Sequence, residues 1–434
     1  MSFVRLCILV SLLACIAGCG GSSSSGNGGS TGGGGDGSST AVTVTFRGAT
    51  PTAVAAKIGS GVFTAQSIGF GPLTLSLPSG TTDFVVAFAC PPVAVMSGGS
   101  QIGQTSQESV IEASTLDGTS LTEACGATPQ SVQTGALTGS VDASAIPAAS
   151  FLTVNAQSGS SGASYSSTTP AANFTLNAPA GSDRVEVLAF NSVSQNGAFS
   201  LVAAKNFSSQ NVPGGLNGGS PVVLGSADET TEAPITYTSL PSGFSPPSTI
   251  VIYETAGGGA FLTASAATNQ YPVLPPGAIQ NGDSYALEAT ARNNSQASQT
   301  VSSFISGGTG GPVSFTFPAP WSYAGPTPAA LPTLDFNYAG FAGQSGVSEV
   351  ASIGWSVGTV SENFITMLAT ANYQNGATTL AIPDLSGISG FLANPNSGSQ
   401  AVWSASISEN SGGTLLTAPA TSNVVQNGGT YTVP

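Results

Sequence analysis

Apolar and polar residues alternate in short runs along much of this chain. In "AVTVTF" the apolar set is Val42, Val44 and Phe46, and in "PLTLSL" it is Leu73, Leu75 and Leu77. "NFTLNA" does the same with Phe174 and Leu176, "DSYALEATA" with Tyr285, Leu287 and Ala289, and "QAVWSASI" with Ala401, Trp403, Ala405 and Ile407. A period of two turns one side of an extended backbone to a core and the other to water, so each run is predicted as a β-strand. The 57 Gly and 28 Pro among 434 residues leave no room for long helices and punctuate the runs with turns. The expected class is all-β.

The runs recur. "PLTLSLPSGTTDFVVAFA" (Pro72 to Ala89) matches "NFTLNAPAGSDRVEVLAF" (Asn173 to Phe190), with Leu75 against Leu176, Pro78 against Pro179 and Gly80 against Gly181. A third copy reads "YPVLPPGAIQNGDSYALEATA" (Tyr271 to Ala291), and a diverged fourth runs from "TTLAIPDLSG" (Thr378 to Gly387) into "SQAVWSASI". Spacing near one hundred residues predicts four related units. Their boundaries fall in polar or Pro-rich connections near Gln133, Glu232 and Ala330, which gives spans 41–133, 134–232, 233–330 and 331–434. Trp355 in "SIGWSV" aligns with Tyr253 in "IVIYET", and Trp403 with Leu287, so these are expected core positions.

The strand, Pro, Gly-turn, strand pattern resembles fibronectin type III and related immunoglobulin-like sandwiches. The third unit carries it best, with "LPPG" ahead of Tyr285 in the manner of a tyrosine corner. Transthyretin-like sandwiches share the "LPxG, strand" signature. The resemblance implies tandem β-sandwich modules.

Ahead of these units the pattern changes twice. Residues 1–18 read as a leader: Arg5, then the apolar "LCILVSLLACIA" (Leu6 to Ala17). Twelve helical residues reach roughly 18 Å, short of the roughly 30 Å a spanning helix must cross. The run ends in "IAGC", which resembles the lipobox of bacterial lipoproteins, and the resemblance implies diacylglyceryl transfer to Cys19 and cleavage just before it. Two or three acyl chains then hold the protein at a membrane where one would not. Gly20 to Thr40 follows with 17 Gly or Ser in 21 residues and no apolar side chain, an expected flexible tether (19–40 with the Cys) about 25 Å from end to end. Gly20, where an Asp would favour the inner membrane in that family, implies the outer membrane in a host that has one.

Composition narrows the chemistry. Six Lys and Arg stand against 20 Asp and Glu, and the basic residues are scattered at Arg47, Lys57, Arg184, Lys205 and Arg292. A nucleic-acid partner needs them clustered. The chain has no His, which removes the usual general base, the commonest zinc ligand and every Ser/His/Asp or Cys/His arrangement. Cys90 and Cys125 are an isolated pair that in an exported chain reads as a disulfide; the rival, free thiols or a metal site, lacks the further ligands a metal requires.

Three candidate sites remain. Asp228, Glu229 and Glu232 in "SADETTEAP" gather oxygen ligands without the spacing of a calcium loop, so an acidic linker is the simpler reading. Trp321 and Tyr323 could stack on a sugar or a partner peptide, or wedge between units. A glycosidase would need two carboxylates across a sugar, yet Glu186, Glu254 and Glu288 stand alone on strands, where solvated faces are expected. The expectation is a non-catalytic structural, adhesive or binding stalk without cofactor, held to the membrane by lipid and meeting envelope proteins or glycans. A carbohydrate-binding surface lipoprotein and a carboxylate-pair glycan-active enzyme are the alternatives.

Overall fold

The computed structural model describes residues 39–434 apart from 70, 98–99, 126–133, 157–163, 168–170, 194–197, 256–259, 267–268, 294–299, 307–309, 343, 345, 359 and 412–420. The proposed attachment point, Cys19, and its tether through Ser38 lie outside the described residues, whereas Thr40, expected to end the tether, opens the first strand. The chain is all-β, with one short α-helix, α1 (Ala371–Gln374), and single 3-10 turns among the described residues. It divides into two compact units. Unit 1 holds Met1–Thr128, Arg292–Val301 and Pro318–Pro434, and unit 2 holds Pro129–Ala291 and Ser302–Phe317.

The first repeat runs through β1 (Thr40–Gly48), β2 (Ala53–Ile58), β3 (Thr64–Ala65), β4 (Leu73–Leu77), β5 (Asp83–Ala89), β6 (Val93–Ser97), β7 (Ser100–Ser114) and β8 (Ser120–Cys125). Strand β1 lies between β4, antiparallel, and β8, parallel. Facing it is a sheet ordered β3-β2-β5-β7, with β6 paired to the start of β7. The alternation fixes what meets: Val42, Val44, Leu75, Leu77 and Leu121 of the small sheet pack on Val54, Val86 and Phe88 of the large one. Cys90, just past β5, is bonded to Cys125 at the end of β8 (Cα–Cα 5.2 Å), so the disulfide ties the two sheets together.

The second repeat has β9 (Thr134–Asp142), β10 (Phe151–Ala156), β11 (Ser164–Ser167), β12 (Ala171–Pro179), β13 (Gly181–Val193), β14 (Ala198–Val212), β15 (Gly214–Gly215) and β16 (Val222–Val223). The arrangement recurs: β9 sits between antiparallel β12 and parallel β15 and β16. It faces a sheet ordered β11-β10-β13-β14 across a core of Leu137, Leu176, Leu152, Val187 and Ala203. In the third repeat β17 (Thr231–Thr238) lies between antiparallel β20 (Gln270–Val273) and parallel β23 (Val313–Thr316). The remaining strands there are β18 (Ser248–Glu254), β19 (Ala260–Ala266), β21 (Ser284–Arg292) and β22 (Thr300–Ser306), with β18 between β19 and β21. The fourth has β24 (Thr333–Asp335) paired to β27 (Thr379–Ala381), beside β26 (Ser361–Thr370), β25 (Val347–Val357), β28 (Gln400–Ser411) and β29 (Thr421–Thr432) in that sheet order.

The repeats are not independent beads. Thr105–Glu112 of β7 pairs in parallel with Glu362–Ala369 of β26, so the first and fourth repeats share one sheet, β3-β2-β5-β7-β26-β25-β28-β29. In unit 2 Ser200 of β14 pairs with Ala264 of β19, which joins the second repeat to the third. The run "DFVVAFA" now has its reason. Phe84 and Val86 face the sandwich core, whereas Val85 and Ala87, equally buried, face the segment after β27, where Gly390 abuts Ala53 and the Leu392 N–H donates to Glu108. A strand covered on two sides is apolar throughout.

The disulfide closes a separation of 35 residues, worth about 4 kcal/mol in the chain-entropy account. Trp321, Trp355 and Trp403 all lie in unit 1, so tryptophan emission reports that unit. Urea unfolding of C90S/C125S should show unit 1 destabilised by about 3 to 4 kcal/mol. A loss under about 1 kcal/mol would show that the bridge does not restrain the sheets.

Candidate functional site

Charge is scarce in this chain, and one buried group of charges in unit 2 is closely partnered. On β13 the core-facing residues are Val185, Val187 and Ala189. Strand alternation therefore puts Arg184, Glu186 and Leu188 on the opposite face. That face is covered too: Glu186 is 2% exposed, contrary to the solvated position expected for it. The covering element is the third repeat's segment through the 3-10 turn Pro276–Ala278 and on to Asp283. Asn206 Nδ2 donates to the Ala278 carbonyl (2.8 Å), and its Oδ1 accepts from Arg184 Nε (3.1 Å).

Arg184 and Asp283 form the centre of this junction. The guanidinium donates twice to the carboxylate, at 2.7 and 2.8 Å, and the two side chains are 12% and 0% exposed. Asp283 also accepts from the Gln280 N–H (2.7 Å) and from the Tyr253 hydroxyl. Burial alone would raise the Asp283 pKa, but the bonds from Arg184, Tyr253 and Gln280 outweigh it and hold the carboxyl below its ordinary range. Glu186 behaves oppositely. It lies 3.1 Å from Arg184, yet burial pushes its pKa to about 8, with the Asp283 charge adding to the rise. Arg184 pairs twice with Asp283, and Glu186 beside the pair is held above its ordinary range.

Two carboxyls pushed apart in this way have the electrostatics of an acid and base pair. Their access is another matter, because the side chains are 3% and 0% exposed. No substrate oxygen reaches them while the junction is shut. The arrangement is a clamp holding the third repeat on the second.

Tyr285, marked by "LPPG" upstream, is fully buried, and its hydroxyl accepts the Leu274 N–H at 2.7 Å. This is the back-bond of a tyrosine corner. Tyr253, Trp355 and Trp403 are buried, as their alignment predicts. Trp321 is 4% exposed, stacked on Tyr323 (centroids 5.1 Å) and on Phe336 (5.6 Å). Tyr323, half-buried, makes a T-shaped contact with Trp403 (5.3 Å), and its hydroxyl accepts the Asp335 N–H (3.1 Å). The pair is thus part of the fourth repeat's packing, and a sugar stacked on Trp321 would have to displace a ring.

The three acids of the linker go to different places. Asp228 caps the turn through the Gly225 N–H (2.9 Å) and pairs with Lys205 (3.3 Å), Glu229 bridges to Ala203 through the backbone, and Glu232 lies on β17. Among the described residues no three such ligands converge. A depression of about 240 Å³ lined by Phe46, Val54, Leu73 and residues 67–69 and 71–74 is smaller than ordinary ligand pockets. Glu254 and Glu288 are partly buried on their strands.

The clamp makes a quantitative demand. Arg184→Met leaves the buried Asp283 carboxylate without its counter-charge, and the second transition in urea, followed by circular dichroism beside the tryptophan signal of unit 1, should lose about 3 to 5 kcal/mol. Arg184→Met with Asp283→Leu should recover most of that; a single-variant loss under about 1 kcal/mol would count against the clamp. No protein-family model matches this chain, and no curated protein matches it. Among solved structures it is similar to a leucine-rich repeat protein from Bacteroides thetaiotaomicron (10% identity, 42% of this chain and 25% of that one, TM-score 0.13). It is also similar to the Bacillus anthracis TIE protein (11% identity, 64% of this chain and 50% of that one, TM-score 0.13). The chain spans half or less of either, and likenesses this weak assign neither fold nor function.

Proposed function

We propose that this is a lipid-anchored protein of the cell envelope with a non-catalytic structural, adhesive or binding role. The observation that carries the reading is the order of segments at its start: an apolar leader too short to span a bilayer, "IAGC" ending at Cys19, and a Gly/Ser stretch without an apolar side chain. An anchor, a spacer and then folded mass is what a surface-held protein needs. The Cys90–Cys125 disulfide suits export. The sheets shared between repeats also favour a holding role, since each unit resists bending better as one sheet than as two linked sandwiches.

The chain ends of the folded part bear on the stalk expected above. The first and fourth repeats share a sheet, so we favour a binding role for merged repeats over four separate modules. With Gly20 after the Cys, the outer membrane is the proposed site in a host with two membranes. The burial of Trp321 favours the holding role over the sugar-reading alternative, which would rest on Trp321 and the half-buried Tyr323.

Metabolic labelling with palmitate, combined with detergent phase partition, tests the anchor. The full chain should carry label and enter the detergent phase; Cys19→Ser should carry none and stay aqueous. Label or membrane recovery persisting in Cys19→Ser would overturn the anchor.

A further inference from the structure

The seam between the first and fourth repeats in unit 1 carries a row of acids. Cross-strand register places Lys57, Val85, Glu112, Ala369, Glu349 and Ile407 side by side across five successive contacts of one sheet. Registered neighbours share a face. Glu112 and Glu349 are therefore two strands apart, about 10 Å at the backbone, with only the methyl of Ala369 between them. One Glu belongs to each repeat, and the seam β7–β26 runs between. Four residues earlier on β7, Glu108 occupies the same face and accepts the Leu392 N–H from the fourth repeat while 1% exposed.

Little compensates these groups. Lys57 and the Tyr373 hydroxyl, from the helix α1 capped by Thr370, face Glu112. Asp335 of β24 and Glu112 face Glu349, whose Oε2 is buried with no hydrogen-bond partner. Asp83 faces Tyr373, and Asn372 on the same helix donates to Asp117 (2.6 Å). The row thus holds Glu112, Glu349 and Asp335 against one cation, Lys57. With all three ionised, like charges oppose each other across the seam in a poorly hydrated setting.

We propose that this row is a proton-operated latch: protonated, it lets the first and fourth repeats close along β7–β26, and ionised, it drives that seam open.

The direction of the response follows from the environment. Burial raises Glu108 to about 7, Glu112 to about 6 and Glu349 to about 8, the last aided by the charges of Asp335 and Glu112. A carboxyl with a raised value binds more protons in the closed state than in the open one. Closure is then fully favoured below the ordinary carboxylate range and is lost as pH rises through the raised values, over the window of about 4.5 to 8. Each proton released on opening can change the opening equilibrium by up to about tenfold per pH unit.

Hydrogen exchange of the full chain between pH 5 and pH 8.5, each amide corrected for its intrinsic rate, reads the seam directly. Glu123 and Glu186, raised to about 7 and about 8, lie off the seam, so a local readout is needed rather than a melting temperature. Peptides covering 105–112 and 362–369 should lose at least about a hundredfold in protection across that range, and the Gln variants below, which leave Glu123 and Glu186 untouched, are the control. Glu349→Gln and Glu108→Gln copy the protonated acids, and each should remove about tenfold of the loss. Should Glu349→Gln fail to fold, Glu112→Gln carries the same test. A seam whose protection is flat in the wild type, or falls as steeply in the Gln variants, would overturn the latch.

Discussion

Edge strands set the problem that this molecule solves. A sheet edge presents backbone donors and acceptors that must find partners, and proteins ordinarily guard it with lysines or inward charges. Only 6% of this chain is charged, so guarding by charge is not open to it. Its edges are closed by pairing: β7 takes β26 over eight residues, and β14 meets β19. Once the sheets are continuous, the outer face of each leading repeat needs a cover, and a loop of the following partner supplies it. In unit 2 that loop ends at Asp283, and in unit 1 it passes Leu392. The two junctions are the same device built from different residues.

Much of this was legible in the sequence, for a physical reason. Alternation, the "LPPG" ahead of Tyr285 and the alignment of Tyr253 with Trp355 all concern the inner face of a sandwich, where a side chain is either core or not. Sheet merging is carried by backbone hydrogen bonds that have no side-chain code, so no residue type announced that the first repeat joins the fourth. Glu186 shows the cost of that gap. A lone acid on a strand reads as solvated only if one face of the sheet meets water, and here neither does. A signal was present in "DFVVAFA", whose lack of alternation marks a strand covered on two sides. Trp321 was ambiguous for a related reason, since a Pro-rich connection gives no sign of which surface it crosses.

The two junctions differ in how their acids are held, and this gives the molecule opposed responses to pH. Asp283 has a guanidinium, a hydroxyl and a backbone N–H. Its contribution to unit 2 is present above the unfolded carboxylate value and is lost only as pH falls through the lower folded one. Glu349 has no such partner on Oε2 and faces two other acids, so closure of unit 1 weakens as pH rises. Glu186 leans the same way as Glu349 because Arg184 is already committed. Strong acid thus threatens the clamp, and rising pH from about 4.5 upward threatens the seam, so both junctions hold best in mildly acidic surroundings. A few acids held at the junctions, Asp283 with its partners and Glu349 without one on Oε2, tie the two units to pH in opposite senses.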